Sequence, residues 1–491
     1  MRDIIFTFFN YFVFFYTSML AIFLVTFAFL SFISLKRRKD YYVESYMRKT
    51  IKESPYTPGI SVIAPAFNEE KTIIDNVNSM LALEYPLFEV VIVNDGSTDS
   101  TLEKMTEYYE LVEVPYAYIE RIKTRPFRRL LKSSNPKYSR LIVVDKENGG
   151  TKADASNAGI NVSSYPYFIC TDVDCILEKY ALYRCISPII SSDKQVIAVS
   201  GTMLMANGCV VKDGQIVDVR TPRTPIPLFQ NLEYMRSYLI GKMGWSAING
   251  MPNVSGGFGL FDRSVAIAAG GYDGTSFAED MDLITRMVGY MCDFSRPYKI
   301  VQIPDTCCWT EGPPNLAMLY RQRTRWARGL FQTLNIHRKM IFKKTYKQMG
   351  LLTLPYMFVF EFLAPIIELV GLIVFIYLAF TGAVNWNTAW MIYLTIYTFC
   401  QFLSIVVITY DYYVGMLYKR GYEYLWIIIA SILEPIFYHP IITFCSLRGY
   451  LSYLTNRDFK WKNMERKGFK QKEESADGTD ITAMKPEPAT I

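Results

Sequence analysis

Acidic residues recur along the middle of this sequence at positions where carboxylates do chemistry. Asp95 follows the apolar run Val90-Val91-Ile92-Val93, Asp172-Val173-Asp174 follows Tyr167-Phe168-Ile169-Cys170, and Glu279-Asp280 sits in a helical pattern. Gln322-Arg323-Thr324-Arg325-Trp326 comes after them. The two carboxylates of an Asp-x-Asp, alternating along an extended segment, would point the same way and could share a divalent cation with nucleotide oxygens. Asp172 and Asp174 are therefore the candidate ligands for Mg²⁺ or Mn²⁺, which would act as a Lewis acid on a departing diphosphate. Glu279 and Asp280 are the candidate catalytic pair, with Asp280 as the general base for an attacking hydroxyl. A helix dipole accounts for Glu279 and Asp282 as well as function does. Arg323 and Arg325 suit a pyrophosphate leaving group, Trp326 suits stacking on a sugar ring, and Gln322 joins them as a candidate acceptor and diphosphate contact. The alternative for that cluster is an interfacial helix with snorkelling arginines.

Upstream residues supply a candidate donor-binding set: Asn68, Glu69, Asp95, Lys152, Asp154 and Asp172. Asp95 lies just past a strand in a Gly/Ser turn, where its carboxylate could accept from a base or ribose; a helix-capping turn aspartate is the plainer reading. In Asn148-Gly149-Gly150-Thr151-Lys152-Ala153-Asp154 the glycines allow close backbone approach, Lys152 could meet a phosphate and Asp154 a nucleoside. Ser255-Gly256-Gly257-Phe258-Gly259 and Gly270-Gly271-Tyr272-Asp273 mark further tight backbone.

These groups need elements to hold them. Between residues 59 and 343, short β-rich runs (61–66, 90–93, 141–144, 167–170, 196–199) alternate with helical patterns, including one from Glu69 to Leu83. Near-continuous apolar strands separated by helices imply an α/β domain with a mostly parallel sheet covered on both faces, which binds ligands beyond the strands' carboxyl ends. An amphipathic helix is expected over 315–340, carrying the Arg/Trp cluster.

Both ends of the chain read as membrane. Hydrophobic residues make up 51% of 491 and the mean hydropathy is +0.12, more apolar than a larger soluble core requires. Residues 1–35 form an anchor, and Lys36-Arg37-Arg38-Lys39 opens a basic linker over 36–58, so the positive-inside rule puts the N-terminus outside and the domain in the cytosol. Residues 344–450 hold three apolar runs: 351–380, 386–410 and 425–444. Three full crossings would leave a basic tail outside. The third run, with Glu434-Pro435 and His439-Pro440, is therefore expected to be re-entrant, interfacial or cavity-lining. Residues 451–491 read as a basic, then disordered, tail. The net charge of +6 fits cationic inner loops, so nucleic acid is not an expected partner; Arg121 to Arg140 is cationic enough for anionic headgroups or for a solvated insertion. Nine cysteines without a Cys-x-x-Cys pair, and only His337 and His439, argue against a disulfide framework and a zinc site.

Taken in order, the motifs from about Ile60 to Leu334 resemble the membrane-integrated family 2 glycosyltransferases, such as the cellulose, hyaluronan, chitin-oligosaccharide and poly-N-acetylglucosamine synthases. The resemblance implies a GT-A-type nucleotide-sugar domain flanked by transmembrane helices, and inverting transfer from a UDP-sugar at the cytosolic face of the plasma membrane. It implies that Asp95 and Asp154 hold UDP, Asp172 and Asp174 the diphosphate and metal, that Asp280 is the base, and that Gln322, Arg323, Arg325 and Trp326 close over donor and acceptor. UDP-GlcNAc is the first expectation for donor. Expected partners are the UDP-sugar, a growing glycan or lipid-linked acceptor, membrane lipids and an accessory export subunit. Arg323 stands where many processive members carry a second Gln. The rival readings are transfer of one sugar to a lipid and, in another class, an inactive sugar-nucleotide-binding subunit or a transporter.

Overall fold

The apolar runs fold into one ten-stranded sheet. A computed structural model describes residues 2–41, 44–115, 118–212 and 214–455, with the side chains of 2–10 and 38–45 excepted. The expected disordered tail and the side chains of Arg38 and Lys39 thus lie outside the described residues. The strands are β1 (Ile60–Ala66), β2 (Phe88–Asp95), β3 (Leu111–Glu113), β4 (Phe127–Ser133), β5 (Leu141–Lys146), β6 (Tyr167–Thr171), β7 (Ile176–Leu177), β8 (Gln195–Met205), a separate hairpin of β9 (Val210–Lys212) and β10 (Gln215–Asp218), β11 (Phe258–Asp262) and β12 (Tyr298–Thr310). Their order in the sheet is β3-β4-β5-β2-β1-β6-β11-β8-β12-β7. β5, β2, β1 and β6 are mutually parallel, and β8 pairs in parallel with β12; β4, β11 and β7 oppose their neighbours. Most of the strands therefore share one direction, as expected, and the exceptions include two strands inside the sheet, β4 and β11. β1, β2 and β5 are buried on both faces, which is why they read as unbroken apolar runs rather than alternations.

Register brings the polar groups to one edge. Ala66 pairs with Asn94, and Asp95 with Lys146, so β1, β2 and β5 end together. The turns beyond them are stitched to one another: the Asn68 carboxamide oxygen accepts from the Thr98 N–H at 2.8 Å, and the Glu69 N–H donates to Thr101 Oγ1 at 2.9 Å. Those bonds delay the following helix, expected from Glu69, until Ile73; it runs to Leu81. Asn68 is held at φ +57°, a conformation asparagine tolerates better than most residues.

The amphipathic stretch is a helix over Leu316–Ile336, capped by the Asn315 side chain accepting from the Met318 N–H at 3.0 Å. Among the described residues, four helices are long and apolar enough to cross a membrane, over residues 11–37, 349–380, 386–414 and 421–454. The second contains π-helical turns at Met349–Thr353 and Met357–Phe362 before the regular Ala364–Phe380 segment.

The last helix differs from one expectation. Gly421–Leu454 is continuous through Pro435 and Pro440, so the chain does not turn back on itself as a re-entrant loop. Its polar residues have partners: Glu434 pairs with Arg236 at 2.7 Å and His439 with Glu368 at 3.1 Å. It also touches the α/β domain along its whole length. Glu423 meets Arg223 at 2.9 Å and accepts from Thr221, the Tyr438 hydroxyl meets Glu233 at 2.9 Å, and Tyr453 meets Asn335 at 3.1 Å. Residues 372–396 of the preceding hairpin instead expose their apolar side chains, Phe380, Trp386 and Met391 among them.

Gly449 makes the helix contact possible, because a Cβ there would lie 2.6 Å from the Thr324 carbonyl oxygen and 2.7 Å from Ala327 Cβ. Overpacking of this kind costs about 1–3 kcal/mol. Gly449→Leu should lower the thermal midpoint in detergent by several degrees. Gly371→Leu, where a Cβ meets open space, should leave it unchanged.

Candidate active site

At the aligned ends of β2 and β5 a lysine that the sequence reading passed over organises the candidate donor-binding residues. Lys146 is 1% exposed in its side chain, and its ammonium sits 2.7 Å from Asp95 Oδ1 and 2.5 Å from Asp154 Oδ2. It also donates to the Glu147 carbonyl at 2.6 Å. Asp95 Oδ1 accepts in addition from the Gly149 N–H at 3.0 Å, and Asp154 Oδ1 from the Arg125 N–H at 3.0 Å. Asp95 and Asp154, chosen independently from the sequence, are thus joined by one buried cation. Gly149 has to be glycine here, since a Cβ would come within 2.3 Å of Asp154 Oδ2. A cavity of about 480 Å³ opens beside this group, lined by Gly149, Thr151, Asp154, Tyr272 and Asp273 among others. Asn68 and Glu69 stand at the neighbouring strand end, where Asn68 bonds the turn after β2 and Glu69 accepts from Thr72 Oγ1 at 3.1 Å.

Asp172 and Asp174 occupy a turn between β6 and β7 rather than an extended segment: the Cys175 N–H donates to the Asp172 carbonyl at 3.0 Å. The turn nevertheless converges their carboxylates, and ligand atoms of Asp172, Asp174 and Cys175 all lie within 4.8 Å of one another. Two carboxylates suit a hard cation such as Mg²⁺ or Mn²⁺, whereas the thiol is the soft member of the group and a neighbour rather than a preferred ligand. Lys152 Nζ lies 2.7 Å from Asp172 Oδ1 and donates to the Gly256 carbonyl at 2.7 Å. Burial works against its charge, but Asp172 above all, with Cys170 and Glu279, holds the ammonium above the ordinary lysine range.

The Gly256–Gly257 strip lies against both kinds of carboxylate. A Cβ on Gly257 would lie 3.6 Å from Asp172 Oδ2, and one on Gly256 would lie 3.7 Å from Asp280 Cβ. The Gly256 N–H donates to Asp280 Oδ2 at 3.2 Å, and Asp280 Oδ1 accepts from the Met281 N–H at 2.9 Å. Asp280 is therefore oriented by two backbone donors near the start of the Glu279–Asp293 helix. Beside it, burial pushes the Glu279 carboxyl up to about 6, with Lys152 and Arg325 pulling the other way. Asp282 turns from the cleft into a buried cluster with His337 at 2.7 Å and Arg286 at 2.8 Å, the structural role that helix-start acids often play.

The Arg/Trp cluster separates into two groups. Arg325 donates to the Phe277 carbonyl at 3.3 Å, and its charge acts on Glu279, so it faces the Glu279–Asp280 corner. Arg323 faces the other way. It is buried, makes two 2.6 Å bonds to the Glu233 carboxylate and one of 2.9 Å to the Tyr438 hydroxyl, and lies 4.4 Å over the Trp326 ring. Gln322 accepts from Gln230 at 3.2 Å. The sequence reading missed Glu233 and Tyr438, which occupy other helices and carry no motif. The helix is clamped onto the loop before Glu279 by Gln332, which accepts from the Phe277 N–H at 2.9 Å, and by Arg328, stacked 3.9 Å over the Phe277 ring.

The sequence is similar to known proteins over most of its length. Residues 61–203 match the profile of Glycosyl transferase family 2, and residues 222–444 that of Glycosyl transferase family group 2. The poly-beta-1,6-N-acetyl-D-glucosamine synthase of Staphylococcus aureus (strain COL) is 29% identical over 278 residues, which are 56% of this chain and 55% of that protein. The enzyme of the same name from Staphylococcus epidermidis is 28% identical over 282 residues, 57% of each. The matches thus span about half the length of these curated relatives. A mannosyltransferase from Pyrobaculum calidifontis, solved in complex with GDP-Man and Mn²⁺, aligns over 89% of this chain and 99% of its own at 16% identity and a TM-score of 0.48. With one family profile over the Asp95, Lys152 and Asp172 edge of the sheet and the other over Asp280, the Arg/Trp helix and the membrane helices, the chain belongs to the family 2 glycosyltransferases.

Proposed function

We propose that this glycosyltransferase takes a UDP-sugar, UDP-GlcNAc first among them, and extends a β-linked glycan with inversion at the anomeric carbon. The observation that carries the reading is the convergence of Asp172, Lys152 and Asp280 on the Gly256–Gly257 strip, with Lys152 at the Gly256 carbonyl and Asp280 at the Gly256 N–H. Inversion needs the base and the leaving group on opposite faces of the anomeric carbon, which separate groups for the diphosphate and for the proton can supply. Asp280 takes the proton of the acceptor hydroxyl as the new C–O bond forms and the bond to the diphosphate breaks. Lys152 and Arg325 are the cations nearest the emerging negative charge. Asp172 and Asp174 are the residues that would hold Mg²⁺ or Mn²⁺, whose contribution is charge neutralisation at the diphosphate. Asp95, Asp154 and the stitched turns at Asn68 and Glu69 offer acceptors for the nucleoside. The named activity of the staphylococcal relatives supports UDP-GlcNAc as donor and a polymer as product. Transfer of a single sugar to a lipid is the second reading, favoured only by a product of one residue.

The helix contacts support a topology that removes the conflict over the basic tail. If residues 11–37 cross once and the hairpin through 382 crosses twice, the Gly421–Leu454 helix need not cross at all. It lies along the α/β domain as an interfacial helix and leaves the domain and the tail on the cytosolic side of the plasma membrane.

Membranes carrying the protein should release UDP from one UDP-sugar in a panel, and product sizing should return a polymer. Chelation with EDTA should abolish release, with recovery on adding Mg²⁺ or Mn²⁺; Asp174→Asn should raise the metal concentration required. Asp280→Asn should lower the transfer rate by about 10²–10⁴-fold while UDP affinity is retained, as expected for loss of a general base; unchanged turnover would exclude Asp280 from that role. A reporter fused after residue 383 should lie on the face of the membrane opposite to one fused after residue 455, and the same face for both would refute the interfacial placement.

A further inference from the structure

Ser237–Lys242 forms a π-helical turn between the Pro225–Arg236 and Met243–Ala247 helices, an irregularity that concentrates at functional sites. It buries a lysine that the chemistry above leaves unused. Lys242 is 7% exposed, and its ammonium lies 4.6 Å from the centroid of the Tyr238 ring. Among the described residues no carboxylate stands within ion-pair distance of it. The one charge acting on it is that of Asp280, which partly opposes the lowering by burial that takes the ammonium down to about 8.

The neighbours of this lysine lie toward Asp280. Tyr238, whose ring it meets, is buried and feels the charge of Asp280, whose carboxylate accepts from the Gly256 N–H. Lys242, Tyr238 and Asp280 thus form one group, while Lys152 pairs with Asp172. An ammonium desolvated on an aromatic face and without a protein oxygen is costly unless an oxygen arrives from what binds there. A diphosphate belongs with Lys152, beside Asp172. What binds beside a general base in an inverting transfer is the acceptor sugar, and its hydroxyl and amide oxygens are neutral acceptors that Asp280 does not repel.

We propose that Lys242 is an acceptor-binding residue, donating from its ammonium to a hydroxyl or carbonyl oxygen of the terminal acceptor sugar so that the attacking hydroxyl faces Asp280. This rests on the reading of Asp280 as the base. A lysine serves better than an arginine, because a single point charge on a flexible stem can follow one oxygen without demanding a bidentate partner.

The test uses the full-length protein in detergent with UDP-GlcNAc as donor and an N-acetylglucosamine disaccharide as acceptor, comparing wild type with Lys242→Met and Lys242→Arg. The expected result for Lys242→Met is an acceptor KM raised at least tenfold, with donor KM and UDP affinity within twofold of wild type and partial recovery in Lys242→Arg. An unchanged acceptor KM, or parallel losses for donor and acceptor, overturns the proposal. If Lys242→Met fails to bind UDP, Lys242→Gln and Lys242→Arg carry the same comparison, and the absence of a selective acceptor defect in both overturns it. Should wild type bind UDP yet turn over no donor, the proposed function fails. Calorimetric affinity for the disaccharide in the presence of UDP then decides on Lys242: a tenfold loss in Lys242→Met supports it and an equal affinity overturns it.

Discussion

A lysine ammonium removed from water is costly unless negative charge compensates it, and at Lys146 two carboxylates do so and fix the candidate nucleotide side of the molecule. Asp95 arrives at the end of β2, Lys146 at the paired end of β5, and Asp154 from the first turn of the Lys152–Val162 helix. Removing one partner of such a buried group leaves an uncompensated charge and typically costs about 3–5 kcal/mol. The register of two strands, the tight Gly149-Gly150 turn and the entry angle of the following helix are therefore tied to one electrostatic condition. Lys152, the first residue of that helix, is delivered to Asp172 as a consequence.

A second set of constraints joins the catalytic cleft to the membrane-facing helices. The Leu316–Ile336 helix holds the loop before Glu279 through Gln332, Arg328 and the close approach of Gly329 to Ala278. On its opposite flank Arg323 is locked to Glu233 and Tyr438, and Tyr438 belongs to the Gly421–Leu454 helix. The first helix packs on the same assembly: Phe27 meets Trp245 at 4.6 Å between ring centroids, and the Tyr410 hydroxyl donates to the Ala28 carbonyl at 2.5 Å. The apolar ends of the chain are thus packed onto the catalytic domain through specific side chains and do not merely tether it.

How much of this was legible in the sequence follows from the range of the interactions. β1, β2, β5, β6 and β8 announced themselves because strands buried on both faces have few polar choices, and the Leu316–Ile336 helix because its apolar period is local. Asp95, Lys152, Asp154, Asp172 and Asp280 stood out because each follows a strand or opens a helix. Lys146 had the same signal, a charge closing an apolar run, but read as ordinary strand punctuation. Glu233, Tyr438 and Lys242 gave no local signal; their meaning arises from contacts across long stretches of sequence. The delayed start of the Ile73–Leu81 helix depends on hydrogen bonds to the turn after β2. The turn at Asp172–Cys175 was hidden because two carboxylates can converge through a bend as well as through alternation.

The guanidinium stacked on Trp326 has a geometric consequence for anything held there. An indole offers two flat faces, and Arg323, anchored at both ends by Glu233 and Tyr438, covers one of them. The residue is left as a one-sided platform. A planar or chair-shaped guest can approach it from a single direction, and two guests cannot sandwich the ring. The salt bridge to Glu233 thus sets the direction of approach to Trp326, and loosening it would uncover the second face.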